Sequence, residues 1–519
     1  MIRKWFLFSA LIFIAGCDRE MNPDQLNLSI LSDIKGFDPI QSVDVRTGTT
    51  ITLVYDNLVQ FGDSTEILPG IAGSWEISSD GLTYTFEIHQ GFKFHDGNEV
   101  SARDVVYSLN RLKDSPNSWL FSRIREISAP EGENGYVVQI TLKEPFSPFL
   151  QFLAMPAMSI LNSDLVESGD IDLFTTPAGS GPWILKEWVR DGHMLFNANR
   201  EYFYGSPKIE KVKIRVISEE MTQSAEFEAG NLDIIGIPLA EFEVWINNPK
   251  WEGLIFAQNE LSIYYIGLNC SRSPFDDVLV RKAMNYAVDR EKILKYVLSN
   301  RGTLAHGTIP HGLPCYDPYR KAYPFNPQKA KELLSKAGYP HGFSMELWQS
   351  HASELAQVME AFQAYWKVVG IDVKIVKNDW NIFKTAVREG KPDAYYLDWY
   401  ADYPDGENFL FPLFHSSESM TKRNRYSNPE VDRLIESIQR MPDSEERIGL
   451  IKSVDQTIYE EAPWVFLWHS VSHTVVQPWI EGYSPKLMFN AQKYLELKKL
   501  AQGVQSVRGR TGSVKSRTQ

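Results

Sequence analysis

Twelve consecutive residues, Asp398 to Phe409 (DWYADYPDGENF), carry four carboxylates and four aromatic rings without one basic side chain. Acids at that density can hold a cation, and rings beside them can add their π-faces to the same task. Two of the acids could instead act as the general acid and base of a glycoside hydrolase, if the fold sets their carboxyl groups at the separation such chemistry needs. A solvated acidic loop with no chemistry is the third reading. The choice depends on the elements that position the stretch.

Other chemistries leave little trace. The chain has no phosphate-cradling P-loop, no G-x-S-x-G elbow and no H-E-x-x-H helix. Gly179 to Trp183 (GSGPW) is glycine-rich but reads as a backbone turn. His469 and His473 have the spacing of helical metal ligands, yet WVFLW before them and TVVQPW after them are strand-like, which makes them ordinary polar positions on one face of a strand. Cys270 and Cys315 are spaced unlike a zinc site and either form a disulfide or remain free thiols. No metal or cofactor is called for.

The positioning elements are mixed α and β. YTFEIHQGFKF places Tyr84, Phe86 and Ile88 on one face of a strand, and KVKIRVIS does the same with Val212, Ile214 and Val216. Ser101 and Asp104 have the spacing of a capping box, as do Asp443 and Glu446; Pro327 and Gly338 bracket another helix. Leu355, Val358, Phe362, Trp366 and Val369 recur with helical period before Gly370 turns the chain into the strand IDVKIV. Strands and helices alternate late in the chain, whereas residues 61 to 177 are richer in strands and turns, which predicts separate lobes.

With 519 residues, 43% of them apolar, the chain is long enough for two or three domains. Its net charge of −13 argues against a nucleic-acid partner. At the start, Arg3 and Lys4 precede an apolar run from Trp5 to Ile14. Residues 1–16 thus read as an export signal, too short for a stable transmembrane helix. IAGC resembles the bacterial lipobox, which makes Cys17 the expected lipidated N-terminus. No later apolar run approaches a membrane span, so lipid alone would tether the protein. Asp18 resembles the signal that retains lipoproteins at the inner membrane of enteric bacteria. Residues 501–519, basic and almost without large apolar groups, read as a disordered tail.

Residues 68–112 resemble the hallmark segment of the family 5 extracellular solute-binding proteins, the peptide and nickel receptors of bacterial ABC importers. GSGPWILKEW, YIGLNCSRSPFDDVLVRKAMNYAVDREKIL, NPQKAKELLSKAGYP, DWYADYPDGENFLFPLFHS and YEEAPWVFLWHS agree in order, so the resemblance spans about residues 27–490. It implies an α/β, periplasmic binding protein-like fold of three lobes. Lobe I would take 27–60, 178–270 and 478–500, lobe II 61–177 and lobe III 271–477. The crossings between lobes I and III near Cys270 and Gln477 would form a hinge.

In the family's peptide receptors, an acid within a motif similar to W-x-A-D pairs with the ligand's α-ammonium group. Trp399, Tyr400, Ala401 and Asp402 match that motif, so the resemblance makes Asp402 the expected anchor, with Trp399, Tyr400 and Tyr403 walling its pocket. By position, Asp33 and Ile34 in lobe I and Tyr264 and Tyr265 at the entry to lobe III would contact the ligand backbone. The family's dipeptide receptors hold the ligand carboxylate with an arginine before the long lobe III helix. LWQSHASEL has none there, and His351 is the cationic candidate, which favours longer peptides. The expected protein is a monomeric, lipid-anchored periplasmic receptor. It would deliver oligopeptides to an ABC permease driven by separate ATPase subunits, and would not be an enzyme. The rivals are a receptor for a nickel complex or an oligosaccharide, and an extracellular glycoside hydrolase.

Overall fold

The computed structural model describes residues 22–350, 356–418 and 421–500. Gln25–Ile30, Lys211–Val216, His193–Ala198 and Trp183–Val189 form one four-stranded sheet in that order, the first pair parallel and the others antiparallel. Val212 and Ile214 are buried in its core with Leu26, Trp183 and Phe196, as the alternation predicts. The C-terminal segment is clipped to this body from two sides. Lys499 Nζ lies 2.8 Å from Asp233 Oδ2, and Lys493 Nζ lies 2.5 Å from Asp56 Oδ1.

A second four-stranded sheet is antiparallel throughout and runs Ala72–Ile77, Thr83–Ile88, Val137–Leu142, Ile124–Ser128. Tyr84, Phe86 and Ile88 face its core, whereas Glu87 is exposed. The helix Ala102–Asn110 begins as expected, with the Ser101 N–H donating to Asp104 Oδ2 at 2.9 Å.

The largest sheet has eight strands. Ser262–Leu268 pairs antiparallel with Ala394–Tyr400 on one side and with the long strand Trp464–Val476 on the other. Beyond Ala394–Tyr400 lie the predicted helix and the strand after it, which with a preceding strand make a β-α-β unit. There Ser344–Ser350 and Asp372–Asn378 pair in parallel around the helix Ala356–Val368, whose Val358, Phe362 and Trp366 are buried. The long strand has four partners along its length, Gly302–Leu304 among them at Trp468 to Ser470. Its first part pairs with Tyr264 to Gly267, and its last part, from Val471 on, pairs with Ile255–Asn259 and Ile234–Gly236. Partners therefore change near Ser470 of the long strand and Glu260, which lies in the link between Ile255–Asn259 and Ser262–Leu268. The expected crossing points, Cys270 and Gln477, stand just past the far ends of Ser262–Leu268 and the long strand.

One local expectation is corrected, and one open alternative is decided. The helix Glu445–Glu461 is capped by Ser444, whose hydroxyl accepts from Arg447 N at 3.1 Å, because Asp443 is engaged elsewhere, with the Arg447 guanidinium and Ser147. Cys270 and Cys315 are both free thiols, and burial pushes the Cys270 thiol up to about 11. The helix Pro327–Lys336 follows expectation at both ends, with Asn326 accepting from Lys329 N at 2.9 Å and Gly338 at φ +90°, where a side chain would be strained.

Candidate binding site

The acidic stretch begins inside the large sheet. Residues Ala394–Tyr400 alternate between its faces, so Trp399 and Tyr400 necessarily point opposite ways. Tyr400 joins Tyr264, with their hydroxyls 2.9 Å apart, and donates to Glu260 Oε2 at 3.2 Å. Trp399 lies on the other face and donates its indole N–H to Asn408 Oδ1 at 3.3 Å. The same oxygen accepts from Asp402 N at 3.0 Å, and Asn408 Nδ2 donates to Asp402 Oδ2 at 3.4 Å. Asn408, buried in the first turn of the helix Glu407–Phe414, thereby fixes both Trp399 and the Asp402 carboxylate. Nothing in the composition of the stretch distinguishes this asparagine. Its sequence signal is its place as the second residue of the helix that the acidic loop opens.

The four carboxylates have different fates. Asp405 receives both guanidinium arms of Arg447 at 2.9 Å, with both side chains buried. Glu407 accepts from the Tyr403 hydroxyl at 2.5 Å and from Gln439 Nε2 at 2.6 Å. Burial raises its pKa above the usual carboxylate range. Asp398 is half-buried on the Tyr264 side, pushed up by burial and by the nearby Glu260 charge. Asp402 alone combines an oriented carboxylate with a half-buried position, and no cation of the described residues pairs with it. Burial pushes it up to about 6, and the Asn408 hydrogen bond works against that rise. A cation entering beside it would recover the lost solvation and strengthen as water leaves.

The remaining expected residues fall in different places. Tyr403 is 3% exposed, its ring 4.8 Å from Phe152 and its hydroxyl committed to Glu407, so in this structure it packs in the interior. Tyr265 is 2% exposed and stacks on Trp464 at 3.5 Å, while Arg423 hydrogen-bonds its hydroxyl. Ile34 is a core residue of the first sheet, and Asp33 is held by the N–H groups of Ile34, Trp188 and Asp191. His351 and Cys17 lie outside the described residues. Thus Trp399 and Asp402 come together through Asn408, and Tyr400 with Tyr264 through their hydroxyls.

His469 and His473 stand in a strand, two residues of one face apart. His469 Nδ1 lies 2.7 Å from the Ser262 carbonyl, and burial holds the ring neutral, with a pKa of about 4. Among the described residues, no group of three or more His, Cys, Asp or Glu could hold a metal ion. No described helix is long and apolar enough to cross a membrane.

A family model for the bacterial extracellular solute-binding proteins, family 5 Middle, matches residues 66–421. Heme-binding protein A of Haemophilus influenzae is 31% identical over 461 residues, which cover 83% of this chain and 84% of that protein. The solved structure of HbpA2 from Haemophilus parasuis superposes with a TM-score of 0.81 at 27% identity, covering 92% of this chain and 100% of that one. The ABC transporter-associated periplasmic binding protein DppA from Helicobacter pylori, in complex with the peptide STSA, gives a TM-score of 0.78 at 28% identity, covering 92% and 98%.

Proposed function

From a chain that belongs to the bacterial extracellular solute-binding proteins, family 5, we propose a receptor that captures oligopeptides in a cleft between lobes I and III and anchors their α-ammonium group on Asp402. The fold is that of the periplasmic binding proteins, and the chain is a solute-binding component of an ABC importer, not an enzyme. The permease and its ATPase subunits would be separate chains.

One observation carries the reading. Asp402 is a half-buried carboxylate, oriented by Asn408, for which the described residues supply no cation. A ligand ammonium completes that site by a charge-assisted hydrogen bond. Trp399, fixed to the same asparagine, would form the adjacent wall. Tyr400 would contribute from the opposite face of the strand, by way of Tyr264. Lobe closure about the strand segments near Glu260 and Ser470 is proposed to bury the ligand, and Cys17 to carry the lipid anchor of a monomeric receptor.

Because LWQS lacks an arginine before the helix Ala356–Val368, peptides longer than two residues are the proposed ligands. The similarity to a protein named for heme binding raises a second ligand class. Heme presents carboxylates and no ammonium, so an unpaired acid at its site would repel it. A neutral oligosaccharide would leave Asp402 equally uncompensated, and a nickel complex would need a cationic face turned to it. Native mass spectrometry of protein purified from its host's envelope tests the proposal. Co-purified peptides lost in Asp402→Asn support it; retention of heme, sugar or a nickel complex in their place overturns it.

A further inference from the structure

The loop that carries Asp402 is held from a distant part of the chain. Asn408, which orients the carboxylate, follows Glu407 at the start of the helix Glu407–Phe414. Glu407 is in turn fixed by Gln439 Nε2 at 2.6 Å, and the opposite atom of that amide, Oε1, accepts from Arg123 Nη2 at 3.2 Å. The partners dictate the amide's orientation, since a carboxylate can only accept and a guanidinium can only donate. Arg123 belongs to the strand-rich region 61–177, far from Asp402 in sequence.

Arg123 is itself held in place. Its other arm donates to Glu144 Oε1 at 2.8 Å, and its guanidinium lies 4.7 Å from the Phe146 ring centroid and 5.7 Å from that of Phe411, a residue of the helix that starts at Glu407. Glu144 Oε2 also accepts from Arg440 Nε at 3.1 Å, and Ser147 N donates to the Gln439 carbonyl at 2.7 Å. The region 61–177 is meanwhile fastened to the first body by other bonds, among them Arg111 to Asp38 at 2.8 Å and Asn57 Nδ2 to the Met155 carbonyl at 2.7 Å. A clasp therefore joins the body that carries region 61–177 to the element that presents the anchor.

We infer that Arg123 is a positioning residue for Asp402, acting through Gln439, Glu407 and Asn408, so that the region 61–177 takes part in ligand capture. The inference rests on the anchor role of Asp402. Arg123 touches no ligand. It holds the start of the helix in the place from which Asn408 aims the carboxylate, and opening of the cleft has to stretch or release the clasp. Release of ligand is thereby coupled to a contact outside the binding pocket.

The test compares wild type, Arg123→Ala, Arg123→Lys and, as a control, Arg103→Ala, which removes ion pairs internal to region 61–177 with Asp164 and Glu167. Amide hydrogen exchange is followed in ligand-free protein, and dissociation of a peptide with a free α-amino group is timed. Arg123→Ala should speed exchange of residues 402–409 by about ten-fold, the loss of one charged hydrogen bond, and raise the dissociation rate by a similar factor with little change in association. Arg123→Lys should restore part of both, since one donor can still reach Gln439, and Arg103→Ala should match wild type. Gln439→Leu breaks the relay from the other side and should reproduce the exchange result if Arg123→Ala does not fold. Unchanged exchange of residues 402–409 in Arg123→Ala or in Gln439→Leu overturns the inference. Wild-type protein that binds no peptide, with the exchange effect intact, sinks the peptide reading and leaves the clasp standing.

Discussion

Asp233 and Asp402 are the same residue in two settings. Asp233, fully buried under the first sheet, receives Lys499 Nζ at 2.8 Å, Trp479 Nε1 at 2.7 Å and Asn27 N at 2.7 Å. Asp56 is similarly saturated by Lys493, Tyr202 and Ser180. Asp402 has Asn408 alone. Asp233, Asp56 and Asp405 each hold the fold together with a Lys or Arg countercharge, whereas Asp402 is oriented with no such partner among the described residues. That contrast recurs within the acidic stretch itself, where Asp405, three residues from Asp402, is answered on both oxygens by Arg447.

The comparison can be broken by substituting each acid in turn. Asp233→Asn leaves Lys499 buried and uncompensated, and should cost about 3–5 kcal/mol in urea unfolding, the usual penalty for breaking a buried pair. A cost below roughly 1 kcal/mol would erase the distinction between the two settings. Asp402→Asn should leave the ligand-free protein at least as stable as wild type at pH 7, while peptide affinity falls by roughly 30-fold or more, the range for truncating one member of a desolvated charge pair.

Acidity sharpens the same contrast. The folded carboxylate of Asp402 sits near 6, above its value in the unfolded chain, so the native state holds the proton longer. Stability contributed by that proton is full below the unfolded pKa, near 4, and is lost as pH rises towards 6. Wild type should therefore lose on the order of 1–2 kcal/mol relative to Asp402→Asn across this window, discounted for the partial exposure of the side chain. Peptide affinity should move the other way, falling about ten-fold per pH unit below 6 as the anchor takes up its proton. A flat difference between wild type and variant from pH 4 to 7 contradicts the assignment. The smallest effects belong to the two faces of the strand. Trp399→Ala should weaken binding about ten-fold, whereas Tyr400→Phe, whose hydroxyl serves Tyr264 and Glu260, should change it by less than about three-fold in the same titration.

Much of this arrangement was legible in the chain. Apolar alternation gave Tyr84, Phe86 and Ile88 their buried face, and the strand-like surroundings of His469 and His473 excluded a helical metal site. The W-x-A-D pattern pointed to Asp402 through resemblance to a family. What could not be read are the pairings that decide which acid is free. Arg447, Gln439 and Arg123 are ordinary polar residues until the fold brings them to Asp405 and Glu407. Tyr403, expected at the pocket from its motif, and Tyr265, expected there by position, are interior rings by packing. Trp399 and Tyr400, expected together at one pocket wall, are separated because both lie in the strand Ala394–Tyr400, where neighbours cannot share a face. The Asp443 cap failed because Ser444 does the same work while Asp443 answers Arg447 and Ser147.

The central claim is that Asp402 awaits a cation from outside the chain. Isothermal titration of wild type and Asp402→Asn with one peptide, free and N-acetylated at its α-amino group, tests it most directly. The account predicts that acetylation and the substitution each weaken binding by a similar large factor, and that the doubly altered pair loses little more than either alone. Losses that simply add would mean that the amino group and Asp402 do not meet, and the anchor assignment would be wrong.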